Sequence, residues 1–185
     1  PHHYTWMDTN YPAGTPRNGY SVEIQALWVR LLDLLGREVA PKWKRLASKV
    51  RRNFAELFPL PNGGLSDCLY AEQGVSARHA DPDDAVRPNQ LYAVTLGLLK
   101  TNRDLAISVL NATECLLSPG AIRTLADRPV RRALPIYRDG VLLNDPHNPY
   151  WGRYEGDEDT RRKPAYHNGT GWTFPFPLYA EALFL

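Results

Sequence analysis

Cysteine is scarce: only Cys68 and Cys115 occur, far apart and without metal-ligand spacing, so the chain has no disulfide scaffold and no cysteine zinc site. Such thiol usage fits a reducing cytoplasm better than secretion, and the expected location is cytoplasmic. An excess of one charge is also missing. Lys plus Arg number 22 against 20 Asp plus Glu, a net +2 that gives no electrostatic case for a nucleic-acid partner. No apolar run approaches the roughly 20 residues that span a bilayer, so no membrane partner is expected. The start of the chain lacks a basic patch followed by an apolar signal core. The five histidines, His2, His3, His79, His147 and His167, lack i, i+4 or HExxH spacing. With no phosphate-binding glycine loop and no dinucleotide fingerprint either, neither a metal nor a cofactor is expected. The Asn-X-Thr patterns at Asn111 and Asn168 are short enough to arise by chance.

What is present is an apolar content of 43% over 185 residues, enough for one ordinary core and most simply one domain over 1–185. Ser21 is a suitable N-cap for "VEIQALWVRLLDLLGRE", in which Ile24, Leu27, Trp28, Leu31, Leu34 and Leu35 recur at helical spacing. The later turns are apolar around most of the circumference. Pro41 opens a second helix, "PKWKRLASKVRRNFAELF", with one apolar stripe and a basic face that reads as a solvated surface. A third helix is expected over "PNQLYAVTLGLL" and a fourth from a capping box at Thr101 and Asp104 to about Leu117. A fifth is expected from about Pro177, with Glu181 as its single charge and read as a buried acid. The fold class predicted is all-α, about five helices, alternately buried and amphipathic, with long loops gathered on one face.

Those loops carry "TWMD", "TPRNGYSVEIQALW", "RPNQLYAVTLGLL" and "YHNGTGW". In this order and spacing they resemble the C-terminal glucosidase domain of glycogen debranching enzymes, the amylo-α-1,6-glucosidase family, over most of the chain. The resemblance is to the bacterial type and to part of a domain. It implies a piece of an (α/α)6 toroid and a glycoside hydrolase that removes α-1,6-linked glucose from α-glucan branch stubs by acid–base catalysis.

Inverting glycoside hydrolysis needs one carboxylic acid to protonate the leaving oxygen and one carboxylate to activate water. The resemblance implies that Asp8 is the acid, with Trp6 and Tyr11 as aromatic cover. On residue chemistry alone Asp8 reads more readily as the cap of a turn into "TNYPAG", and the surrounding motif reverses that preference. The resemblance also places Arg17 and Glu23 in the sugar subsite, while a negative charge in the first helical turn accounts for Glu23 equally well. Arg87, Asn89 and Gln90, together with Asp67, offer donors and acceptors for hydroxyl groups, and Arg87 fits an ion pair with Glu23 or Asp67 as well as it fits ligand contact. Tyr166, His167 and Trp172 form either a stacking platform or a core aromatic cluster.

One position departs from the family pattern. Eukaryotic members carry Glu just before the Trp of the last motif, and Gly171 stands there. Glu155 and Asp157 are local substitutes without positive support, so the chain reads as lacking its general base. Two other readings stay open: a non-catalytic α-glucan-binding module, and a different toroidal glycosidase of glucoamylase or trehalase type. Five helices cannot close a twelve-helix ring, and the exposed apolar faces this leaves predict self-association or docking of the missing part of the barrel.

Overall fold

The structure is a computed structural model that describes residues 5–8 and 17–185. The turn expected over 9–14, including Tyr11, and His2 and His3 lie outside the described residues. Strand β1 (Gly19–Ser21) runs straight into helix α1 (Val22–Glu38), with Ser21 at the expected N-cap position. The Ser21 hydroxyl does not cap the helix but donates to the Arg17 carbonyl at 3.4 Å. After a short turn α2 (Lys42–Leu57) folds back onto α1, its Phe54 ring stacked 4.2 Å from Phe58.

The next segment contributes β2 (Cys68–Tyr70) and β3 (Asp81–Pro82), which pair antiparallel with β1 in the order β1-β2-β3. Ser21 faces Cys68 and Tyr70 faces Asp81 in that sheet. The helix expected over 88–99 is shorter: a 3-10 turn at Pro88–Gln90 and then α3 (Leu91–Thr95). Gly97, at φ +74°, takes the left-handed conformation that ends it. Helix α4 (Arg103–Thr113) is capped by Asn102, whose side chain accepts from the Leu105 N–H at 3.1 Å, rather than by Thr101.

Strands β4 (Leu117–Ser118) and β5 (Ala121–Arg123) follow, then the hairpin β6 (Tyr137–Arg138) and β7 (Val141–Leu142). Helix α5 (Lys163–Tyr166) continues a π-turn over Glu158–Arg162. Strand β8 (Gly171–Trp172) then joins a second sheet in the order β4-β5-β8, and α6 (Pro175–Phe184) begins two residues before Pro177.

Among the described residues, six α-helices and three small antiparallel sheets correct the expectation of an all-α segment of an (α/α)6 toroid. The physical reason is length. Strands of two or three residues are too short to display alternation, and their partners come from distant loops, so they leave no local trace in the sequence.

The main core is built by α1, α2, α3, α4 and α6 around Val29, Phe54, Leu91, Val109 and Ala182. Two smaller clusters hold the segment ahead of α3 from both sides. Ala85 packs with Leu125, Val130 and Leu134, and Val86 packs with Leu116, Ile122 and Ala126. Successive residues are thus pinned in different clusters, and Arg87, the next residue, is carried inward. Helix α1 buries one side and leaves an apolar side open, as expected of an end helix. Val22, Ala26, Val29 and Leu32 are buried, whereas Ile24, Leu27, Trp28, Leu31 and Leu34 on the other side remain 38–49% exposed. Glu181, expected to be buried, is exposed. None of the described helices is long and apolar enough to cross a membrane.

Candidate functional site

The loops ahead of α1 and α3 meet at one buried carboxylate, Asp67. Its Oδ2 lies 2.8 Å from Nε of Arg17 and 3.6 Å from Nε of Arg87, and its Oδ1 accepts from Nδ2 of Asn89 at 2.9 Å. Arg17 reaches further, donating from Nη1 and Nη2 to the two oxygens of Glu23 at 2.5 and 2.7 Å and from Nη2 to the Asp67 carbonyl at 2.8 Å. This is a bidentate geometry that only a guanidinium provides. All four charged side chains are at most 3% exposed. Burial works against the Arg17 charge, but Asp67 and Glu23 outweigh it and its pKa is raised. Arg87, fully enclosed, is pulled the other way: burial lowers its pKa despite the support of Asp67 and Asp83. Arg17 also holds a left-handed backbone at φ +47°, uncommon for a residue with a Cβ. Its side-chain bonds hold it in that conformation.

Asn89 carries this buried knot to the surface. Its Oδ1 accepts from the Trp6 indole N–H at 2.9 Å, and its Nδ2 also lies 3.3 Å from Sδ of Met7. Met7 is buried, Trp6 is half-buried and Asp8 is exposed. The Thr5 hydroxyl adds a second anchor, 3.3 Å from Nη1 of Arg17. The result is a short segment whose middle is fastened inside and whose last described residue, Asp8, presents its carboxylate to solvent.

Arg87 fastens the other wall. It donates to the backbone carbonyls of Thr124 and His167 and to Oδ1 of Asn168, fixing the 166–172 loop against the Asp67 knot. Gly169, at φ +140°, makes that loop possible, since a Cβ there would lie 2.7 Å from the Tyr150 ring. Asn168 is buried and its amide donates to the Pro164 carbonyl, so its match to a glycosylation pattern is buried in the fold.

The two walls meet through their rings. Trp6 stands edge-on to His167 at 5.1 Å and to Phe174 at 5.3 Å. His167 continues to Tyr166 at 4.8 Å, Tyr166 to Trp172 at 4.6 Å, and Tyr154 closes on both at 5.8 Å. Phe174 and Tyr154 are exposed while Trp6, Tyr166 and Trp172 are half-buried, so the belt offers ring surface to solvent. Such amphipathic rings, apolar on the face and polar at the edge, suit a ligand with both kinds of surface.

The structure therefore brings Trp6, Asp8, Asn89, Tyr166, His167 and Trp172 to one region, with Arg17, Glu23 and Arg87 behind it. Gln90 is turned away, accepting from the Leu65 N–H and donating to the Arg87 carbonyl. Asp157 caps the turn at Asp159 and Thr160, and Glu155 lies exposed beside Arg153. A Cβ at Gly171 would stand 2.9 Å from that of Ala121, so this position is tight for any side chain. Among the described residues no group of His, Cys, Asp and Glu is disposed to hold a metal ion.

Sequence reasoning missed Tyr154, Phe174 and Asp83. Tyr154 and Phe174 sit outside the recognised motifs, in loops whose folding brings them to the belt. Asp83 is 1% exposed, and its carboxylate accepts from the Ala85 N–H at 2.8 Å. Burial and the neighbouring Asp67 push its pKa up to about 7, against the opposing pull of Arg87. The available signal was the Asp-X-X-X-Arg spacing ahead of "PNQ", which gave no reason to bury the acid.

Comparison with curated proteins gives no match. The chain does match the family described as amylo-alpha-1,6-glucosidase, over residues 2–145 and 140–185. The two matched stretches include both walls of the site. The chain belongs to the amylo-alpha-1,6-glucosidase family.

Proposed function

We propose that this chain is a glycoside hydrolase module that takes the α-1,6-linked glucose of a branched α-glucan, with Asp8 as its general acid. The observation that carries this reading is the exposed Asp8 carboxylate, held beside buried Met7 at the end of the Asn89 clamp and next to the ring belt. In the reaction, Asp8 gives its proton to the glycosidic oxygen as the bond to the anomeric carbon breaks. Water adds at that carbon and its proton passes to a base. Trp6, Tyr166 and Trp172 stack on or border the sugar, the fully buried His167 ring backs Trp6 and Tyr166, and Asn89 orients Trp6. Arg17, Glu23 and Arg87 shape these groups from behind, and Gln90 acts only through the Arg87 carbonyl to which it donates. The cytoplasm is the compartment that fits this role, and the exposed apolar side of α1 supports self-association.

A second reading, α-glucan binding without turnover, is favoured by one observation. Glu23, Asp67 and Asp83, the carboxylates behind the platform, are all buried, so none of them meets a water molecule in the open site. Glucose release from branched dextrin decides between the two. In the hydrolase reading Asp8→Asn loses roughly 10² to 10⁴ in rate while dextrin binding survives, as for loss of a general acid. Binding without any release by the wild-type chain supports the second reading.

A further inference from the structure

Among the described residues, the buried network contains one carboxylate more than it has guanidinium groups. Arg17 and Arg87 face Glu23, Asp67 and Asp83, and all five side chains are buried. Glu23 and Asp67 are matched to Arg17 by direct contacts of 2.5 to 2.8 Å. Arg87 spends three donor contacts on Thr124, His167 and Asn168 and stands 3.6 Å from Asp67. Those three acceptors are neutral and its Nε makes no hydrogen bond, so Arg87 is a loose counter-ion whose single charge is shared between Asp67 and Asp83. An isolated carboxylate in such surroundings is costly, and the least costly answer is for one acid to hold its proton.

Asp83 is the acid placed to do so. Its backbone is fixed against β2 and the preceding loop, with its N–H donating to the Cys68 carbonyl at 2.9 Å and to the Ser66 hydroxyl at 3.0 Å, and its carbonyl accepting from the Asp67 N–H at 3.3 Å. The groups that act on its charge are Asp67, Cys68 and Tyr70 from β2 and the loop before it, Arg87 from the turn before α3, and Arg17 from the segment before β1. Cys68 and Tyr70 are both held neutral: burial pushes the Cys68 thiol up to about 12 and raises the Tyr70 hydroxyl as well. They supply no positive charge, and the Asp67 carboxylate repels an ionised Asp83.

We propose that Asp83 is a positioning residue of the candidate site: its proton balances the buried network and lets Asp67 hold Asn89, and through Asn89 the Trp6 ring, in place. Loss of that proton sets a second negative charge beside Asp67, and the two carboxylates then compete for the guanidinium groups of Arg87 and Arg17. The effect reaches the ring belt from both walls, since Arg87 holds the His167 loop and Asn89 holds Trp6. That this ring serves a sugar rests on the function proposed above; that Asp83 sets its position does not.

The test is a pH titration of tryptophan fluorescence without ligand, on the wild-type chain, Asp83→Asn, Trp6→Phe and His167→Gln. The wild type is expected to show a transition in the neutral range. That transition should be absent from Asp83→Asn and Trp6→Phe, and present in His167→Gln, which removes the imidazole beside Trp6. Persistence of the transition in Asp83→Asn, or its loss in His167→Gln, overturns the proposal. If Asp83→Asn does not fold, infrared difference spectroscopy of the wild type decides. A protonated-carboxyl band that disappears over the same pH interval as the fluorescence change supports the assignment, and absence of the band overturns it. Maltose affinity, measured by calorimetry, is expected to be about tenfold weaker above the transition, the equivalent of one hydrogen bond. A flat maltose profile alongside the expected fluorescence leaves Asp83 in its role and sinks the sugar assignment instead.

Discussion

The indole N–H of Trp6 donates to the side-chain carbonyl of Asn89 across 2.9 Å, although the two residues are 83 positions apart. The same amide donates to Asp67 at its other end, so a surface ring is oriented by a carboxylate that solvent does not reach. A ring used for stacking has to be held before the ligand arrives, because ordering it afterwards consumes binding free energy. Asn suits this position because it carries an acceptor and a donor on one short, planar group.

Asn89→Leu keeps the volume and removes both contacts. The Trp6 N–H and one oxygen of Asp67 lose their partner, and an unsatisfied buried polar group costs about 1–3 kcal/mol. The variant is expected to unfold at lower urea with an unchanged slope, and its tryptophan emission is expected to move to the red as Trp6 is released. Wild-type emission in a stable variant would show that packing against His167 and Phe174 alone holds the ring.

Arg17→Lys tests whether geometry or charge matters in the knot. Lysine keeps the charge but cannot meet Glu23 in bidentate fashion and Asp67 at the same time. Breaking a buried pair costs about 3–5 kcal/mol. Most of that loss is therefore expected in Arg17→Lys as in Arg17→Met, read from urea midpoints. Full stability in the lysine variant would reduce the role of Arg17 to that of a point charge.

The residues that build these contacts were legible in the sequence to different degrees. Helix α1 is readable to its first residue because Ser21 precedes an uninterrupted helical spacing, and α2 is nearly so. The "RPNQ" and "YHNGTGW" motifs led to Arg87, Asn89 and the ring-bearing loop, since donors, glycines and aromatics on loops signal presentation. The sheets escaped because Ile122 pairs with Trp172 and Ser21 with Cys68, contacts that exist only after distant loops come together. Helix α3 was overestimated for a related reason: "LYAVTLGLL" has helical composition throughout, yet Gly97 turns the chain in its middle. Asp83 was invisible because charged residues near a proline-rich loop ordinarily face water. Only the packing of Ala85 and Val86 on two separate clusters draws this stretch inside.

That burial has a consequence for stability as well as for position. The Asp83 carboxyl is pushed up to about 7 in the fold, by burial first and by Asp67 second, against about 3.9 in an unfolded chain. Between those two values the native state binds more protons than the unfolded state, so this group lowers stability as pH rises. Half-buried acids such as Asp33, whose hydrogen bond from Arg51 depresses its pKa, act in the opposite sense, losing their contribution as pH falls below the ordinary carboxylate range. The wild-type profile mixes both, and the difference between Asp83→Asn and wild type isolates one. Asparagine keeps an oxygen for the Ala85 N–H and cannot ionise. The urea midpoint of Asp83→Asn minus that of the wild type is therefore expected to grow from pH 4 to about pH 7 and to level off above it. A difference that is constant across this range would mean that Asp83 is ionised throughout in the folded protein, with Arg87 as its true counter-ion.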